Sequence, residues 1–322
     1  MARFSANDAI LAKIETTYGT DPTPTGAANA ILISNLNVNP YNANEVDRNL
    51  LRAWMGGSEQ LVGTADITIG FDVEYQSSGA AGTAAAWGPL LRACGFAEAI
   101  SAGSRVEYTP ISTGFESLTI YFYDDGVLHK ALGCRGTVSL DLGIGNRPVF
   151  KFSFLGLDGG ISAASSPAET LTAWKAPLVV TDAFTGDFTV GATYTTGTLS
   201  GGTAYPSRGL AMDMGISAVY TPLLGTESIE ITNRAETGHV DLDLTAAQEV
   251  TFYGNIKSNA TQAISLVHGT AAGYKMLLHA PAAQFINPSK VDYNGRRLVG
   301  LDIRLVPGTS TTGNDQIRLV AL

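Results

Sequence analysis

Hydrophobic and polar positions alternate most cleanly over Phe115–Leu157, and the pattern predicts four strands in series. Leu118–Tyr123 and Val127–Leu132 flank Asp124-Asp125-Gly126, a short turn signal between two β-prone runs. In Val138–Leu142, Val138, Leu140 and Leu142 share one face, Ser139 and Asp141 the other. Beyond the turn-forming Gly143–Pro148, Phe150, Phe152 and Phe154 alternate with Lys151 and Ser153. Successive side chains of a strand point to opposite faces, so each strand buries one side and wets the other. A fainter copy of this meander closes the chain. Gln262–Val267 and Tyr274–Ala280 form its first hairpin, and Lys290–Tyr293 and Arg296–Val306 flank the strong turn Asn294-Gly295. Leu301, Ile303 and Leu305 there alternate with Asp302 and Arg304. Two β-rich halves that end alike imply a duplicated domain.

Thr64–Tyr75 is the cleanest strand, with Ile67, Ile69, Phe71, Val73 and Tyr75 on one face and Asp66, Thr68, Gly70, Asp72 and Glu74 on the other. His239–Thr245 repeats the device, setting Val240, Leu242 and Leu244 against Asp241 and Asp243. Carboxylates gathered on one strand face require a hydrated face. An ordinary solvated sheet would explain either strand alone; the recurrence in both halves points to a shared role.

The remaining segments fill in around these strands. Ala6–Glu15 reads as a turn or two of helix, and Thr20–Ala30 as an arm that is disordered or ordered by a partner. Ile31–Asn39 reads as the first strand. Tyr41–Gly63 is a long loop carrying Leu50, Leu51, Trp54 and Met55. A loop of that length is usually functional or disordered, and an apolar cluster on it needs a partner, in another chain or in its own domain. Thr83–Phe96 predicts a helix ended by Gly95, with Pro89 marking a kink or a late start. Thr245–Asn259 predicts a second, less regular helix. Gly159–Pro177 has linker composition, with Leu171 and Trp174 expected to dock. Strands resume at Leu178–Thr181, Asp187–Thr193, Ala211–Val219 and Glu227–Asn233, with Ser200–Ser207 as loop. The fold class is mainly β: two tandem sandwich or barrel domains, each with a flanking helix, over 1–160 and 178–322, joined by a linker over 161–177.

Composition narrows the function. Only 15% of the 322 residues are charged, and such a surface suits extensive contact with neighbouring subunits, although a secreted β protein with a Ser/Thr/Gly surface would look similar. The net charge of −9 argues against binding nucleic acid by phosphate neutralisation. Cys94 and Cys134 are no disulfide framework and read as buried thiols. The start of the chain lacks a signal pattern and no apolar run approaches a membrane span, so folding in a cytosol is expected. His129, His239, His268 and His279 fall on separate strands at no metal-binding spacing and read as surface or turn residues. The sequence holds no nucleophile elbow and no phosphate-binding loop. No metal, cofactor or catalytic role is expected.

The order of a strand ILISNLNVNPY, a long loop, the acid-faced GTADITIGFDVEY, a helix WGPLLRACGF, a YTP segment and a closing VFKFSFLGL resembles the tail tube (major tail) proteins of bacteriophages with long, non-contractile tails. The likeness covers about 1–160. Over 178–322 it is topological, carried by GLAMDMGISAVYTP, GHVDLDL and RRLVGLDIRLVPG. It implies a non-enzymatic virion protein, assembled in the host cytoplasm, that forms stacked rings around a tape-measure protein and meets tail terminator and distal tail proteins. DNA would pass through in transit, with no specific binding and no membrane involved. On that reading Asp66, Asp72, Glu74, Asp241 and Asp243 face the lumen, and Leu50, Leu51, Trp54 and Met55 anchor one ring on the next. Two tube domains per chain would make three chains fill a pseudo-six-fold ring; the alternative is a ring of six chains whose second domain decorates the outside. Two other classes remain open. A β-sandwich binding module for carbohydrate requires exposed clustered aromatics, and a hydrolase requires an acid pair that the sequence does not offer.

Overall fold

Period-two segments become strands wherever one of their faces meets the core. In the computed structural model, residues 3–4, 7–308 and 313–322 are described. The first half contains β1 (Asp8–Ile14), α1 (Gly26–Asn29), β2 (Ala30–Ile31), β3 (Ser34–Asp47), β4 (Gln60–Glu74) and α2 (Gly88–Ala93). β5 (Phe96–Ser101), β6 (Arg105–Pro110), β7 (Leu118–Asp124), β8 (Val127–Gly143) and β9 (Val149–Ala163) complete it. The second half opens with β10 (Phe188–Thr195), β11 (Thr198–Tyr205), β12 (Ser207–Asp213), β13 (Ile216–Leu223), β14 (Thr226–Arg234) and β15 (Thr237–Leu242). It continues through α3 (Ala246–Lys257), β16 (Thr261–His268), β17 (Met276–Tyr293), β18 (Arg296–Leu305) and β19 (Arg318–Ala321).

One antiparallel sheet runs through both halves in the order β3-β4-β9-β8-β12-β15-β18-β17. The four strands from the second half repeat the order of the four from the first. β8 and β17 are long enough to bend out of this sheet into an outer layer. There β8 pairs with β7 and β7 with β1, while β17 pairs with β16 and β16 with β10. Even an irregularity recurs. The register shift between Leu118 and Ile120, facing Cys134 and Ala131, returns between Gln262 and Ile264, facing Ala283 and Ala280.

The halves are joined twice. In the inner sheet β12 pairs with β8, Leu210 opposite Leu142 and Met212 opposite Leu140. In the outer layer β19 lies between β17 and β6. The Glu107 carboxylate ties that second seam, accepting from Arg318 at 2.5 Å and from the Tyr194 hydroxyl at 2.8 Å. One apolar core extends through both halves. Trp87 is buried at its centre, its indole edge-on to Phe150 at 5.1 Å and its Nε1 donating to the Gln76 carbonyl at 2.7 Å.

Several expectations are corrected. Residues 8–14 form strand β1 in place of helix, because Ile10 and Ala12 face the main core while Ala9 and Leu11 face a smaller cluster with Tyr121 and Tyr123. The arm Thr20–Ala30 is ordered by its own chain: Trp174 Nε1 donates to the Ala30 carbonyl at 3.0 Å, and Leu171 packs on the smaller cluster. α2 is confined to Gly88–Ala93, with Pro89 in its first turn. α3 is the longer helix and holds a reciprocal Thr245–Gln248 capping box. Ser200–Ser207 falls largely in strand β11, and Leu178–Thr181 forms no strand. Both cysteines are buried and free. His268 and His279 are buried, with Nδ1 hydrogen-bonded to Thr185 and Ser265 respectively, each at 2.9 Å. Burial and the nearby Arg318 charge push the His279 imidazole down to about 4.

Candidate assembly surfaces

β4 places Ile67, Ile69, Phe71 and Val73 in the core, which leaves Asp66, Asp72 and Glu74 on the opposite face of the inner sheet. β15 buries Val240 and Leu242 and so turns Asp241 to that face, with Asp243 just beyond the strand. The five acids thus fall into two groups separated by β9, β8 and β12. None stands bare. Asp66 is 9% exposed and accepts from Asn42 Nδ2 at 3.1 Å. Asp72 accepts from Asn35 Nδ2 at 2.7 Å. Glu74 pairs with Arg147 at 3.1 Å, and Arg147 also donates to Ser34 Oγ at 2.8 Å. Asp241 lies 3.2 Å from both Arg208 and His239 Nε2, and Asp243 pairs with Arg296. His239 Nδ1 meets Asp302 at 2.8 Å. Burial opposes the His239 charge, but the two carboxylates outweigh it and raise the imidazole above its ordinary value. Sequence patterning identified the acids and missed their partners. Arg147 arrives from the turn before β9 and Arg208 from the neighbouring strand β12, so no spacing along the chain announces them.

The segment Tyr41–Gly63 is largely a hairpin. β3 and β4 remain paired out to Asp47 and Gln60, beyond the body of the sheet. We call this arm 1. Leu51 and Met55 at its tip are fully exposed, Trp54 is 70% exposed and Leu50 43%. The tip does not fold back on its own chain. The second half carries an unforeseen counterpart, arm 2, made by β13 and β14 between β12 and β15. Its tip, Leu223-Leu224, is also exposed.

The two arms differ in one respect. Arm 2 lies on the first half, where Ile229 is fully buried, its carbonyl accepting from Arg135 Nη1 at 2.7 Å and its N–H donating to the Tyr18 hydroxyl. The Ile216 N–H donates to Thr137 Oγ1 at 3.2 Å, and Arg234 donates to the Ile111 carbonyl at 3.0 Å. Arm 1 has no such bed: Val46, Leu61 and Val62 on its stem are all about half exposed. Of the three tryptophans, Trp87 is buried and Trp174 half-buried, which leaves Trp54 alone as an exposed indole.

These surfaces are a polar sheet face, two projecting arms and their exposed apolar tips. No curated protein matches the chain. The family model described as phage tail tube protein matches residues 5–309, nearly the full length, and the chain belongs to that family.

Proposed function

We propose that three chains close into one ring of the tail tube, each contributing its eight-stranded sheet to the wall of the bore. A tail tube protein is a structural component of the virion tail and stacks as a homo-oligomer. The observation that carries the finer reading is the β8–β12 seam. It makes one sheet from two halves with the same strand order and leaves β3 and β17 as the outer strands of that sheet. β17 occupies in the second half the place of β8, and β3 in the first half the place of β12. The internal seam is therefore the pattern for an antiparallel β17–β3 seam between chains. An unpaired sheet edge is a template for such pairing, and a heterologous contact that closes gives a ring.

Twenty-four strands spaced about 4.8 Å apart and tilted about 40° give a barrel roughly 45–50 Å across at the backbone. The polar face of β4 and β15, with Asp66, Asp72, Glu74, Asp241 and Asp243, would line the bore through which DNA passes. The tips with Leu50, Leu51, Trp54 and Met55 would meet the next ring. The tube would surround a tape-measure protein and end at terminator and distal tail proteins, as in phages with long, non-contractile tails, after assembly in the host cytoplasm. A reconstruction of tubes assembled from purified protein tests this reading. Three chains per ring, with the tips of arm 1 against the neighbouring ring, is the expected result. Six equivalent chains with the second half outside would overturn the three-chain ring, and tips clear of the next ring would remove the stacking assignment.

A further inference from the structure

We propose that the stem of arm 1 docks within the ring, on the second half of the neighbouring chain, in the way that arm 2 docks on the first half of its own. The inference rests on the ring reading above and adds to it a contact surface and its occupant. A two-stranded hairpin is marginal alone in water. Arm 2 resolves this by burying one face on Arg135, Thr137 and Tyr18, whereas arm 1 projects with Val46, Leu61 and Val62 in solvent.

The repeat of the fold locates the missing bed. The shared register shift makes Ala131 and Cys134 correspond to Ala280 and Ala283. Arg135 then corresponds to Gln284 and Thr137 to Ile286. The paired strand agrees, since Arg135 faces Leu155 across β8–β9 as Gln284 faces Arg304 across β17–β18. Gln284 and Ile286 are thus the equivalents of residues that arm 2 touches in the first half, and Arg304 is the cross-strand neighbour of Gln284. In the second half Arg304 is exposed and, among the described residues, has no ion-pair partner. Arm 1 brings the acids Glu45 and Asp47 to meet Arg304. Charge and apolar surface are complementary, and the occupant is a second copy of this chain.

Paired cysteines test the contact in assembled tubes. Val62→Cys with Arg304→Cys, joined by a short bis-maleimide, reports which chains touch; Cys94 and Cys134 are buried and do not compete. Cross-linked material that ends at a closed three-chain species is the expected result. An unlimited ladder would place arm 1 on the next ring and overturn the inference, as would tubes that assemble and do not cross-link. Failure of the unmodified chain to form tubes at all would overturn the ring reading itself. Charge exchange gives a second readout. Glu45→Lys or Arg304→Glu alone should raise the protein concentration needed for assembly at least about tenfold, and the two together should restore it. Single variants that assemble like the unmodified chain would refute the docking.

Discussion

The seam between the halves can be tested with one methyl group. Gly209 on β12 has φ +103°, and a Cβ there would lie 2.0 Å from the Leu142 carbonyl oxygen of β8. An ordinary C···O approach is about 3.3 Å, so Gly209→Ala requires the strands to part by more than an ångström. That separation breaks ladder hydrogen bonds of about 0.5–1.5 kcal/mol each and adds about 1–3 kcal/mol of backbone strain. A loss of roughly 3–6 kcal/mol follows. Gly225 at the tip of arm 2 supplies the control. Its φ is +95°, but nothing lies within 4 Å of the added Cβ. Gly225→Ala carries the strain alone, on an exposed turn free to relax, and should cost about 1 kcal/mol. Urea unfolding of the unassembled protein should show a much lower midpoint for Gly209→Ala than for Gly225→Ala, at similar slope. Only Gly209→Ala should impair tube assembly. Equal midpoints, or normal tubes from Gly209→Ala, would refute the claim that the close β8–β12 approach holds the halves in one sheet.

Two further outcomes follow from buried and paired groups. Glu15 is 7% exposed and accepts four hydrogen bonds, each 2.7 Å, from Gly19 N, Gly133 N, Ser117 Oγ and Thr119 Oγ1. Glu15→Leu orphans two backbone N–H groups at about 1–3 kcal/mol each, and a loss below about 1 kcal/mol in chemical denaturation would contradict this role. His239, held between Asp241 and Asp302, has a folded-state pKa above its ordinary value. Its stabilisation is therefore full below about pH 6.5 and is lost as pH rises through the raised value. His239→Gln should flatten the fall in stability above that pH, and an unchanged profile would show that the flanking carboxylates do not act on it.

What the sequence made legible, and what it hid, follows from how many faces of a strand are buried. β4, β8, β9 and β18 bury one face and alternate, so they were readable. β1 is buried on both faces, between two clusters. Its DAILAKI run therefore lacks alternation and imitates a helix. β11 fails in the opposite sense: it is an exposed strand, TLSGGTAY, with no apolar face to mark it. Arm 1 was misread as loop for the same reason, since its stem faces no core within the chain. Leu178–Thr181 is apolar without being strand, because Val180 exchanges backbone hydrogen bonds with Gly145 and Asn146 in a turn. The acids were legible from β4 and β15, while the cations that partner them come together only by folding.

Those partners change how a bore lined by this face would work. A bare acid wall would repel phosphate over a screening length of about 8–10 Å. Here Glu74 is held by Arg147, Asp241 by Arg208, Asp243 by Arg296, and Asp141 by Lys151. The long-range repulsion is correspondingly weak. The more effective property is that each of these cations is already engaged by a carboxylate. Phosphate could bind only by displacing that carboxylate, so the attraction that drives counterion-release binding is largely cancelled in advance. On the proposed reading, passage without adhesion would depend on the pairs, and breaking one from the acid side should create adhesion. Glu74→Gln leaves Arg147, which has 45% of its side chain exposed, without its carboxylate. Tubes of this variant should retain short duplex DNA at low salt and release it as salt rises, while Glu74→Gln with Arg147→Gln should not. Equal retention by the two variants would mean that occupied cations are not what keeps this face from holding DNA.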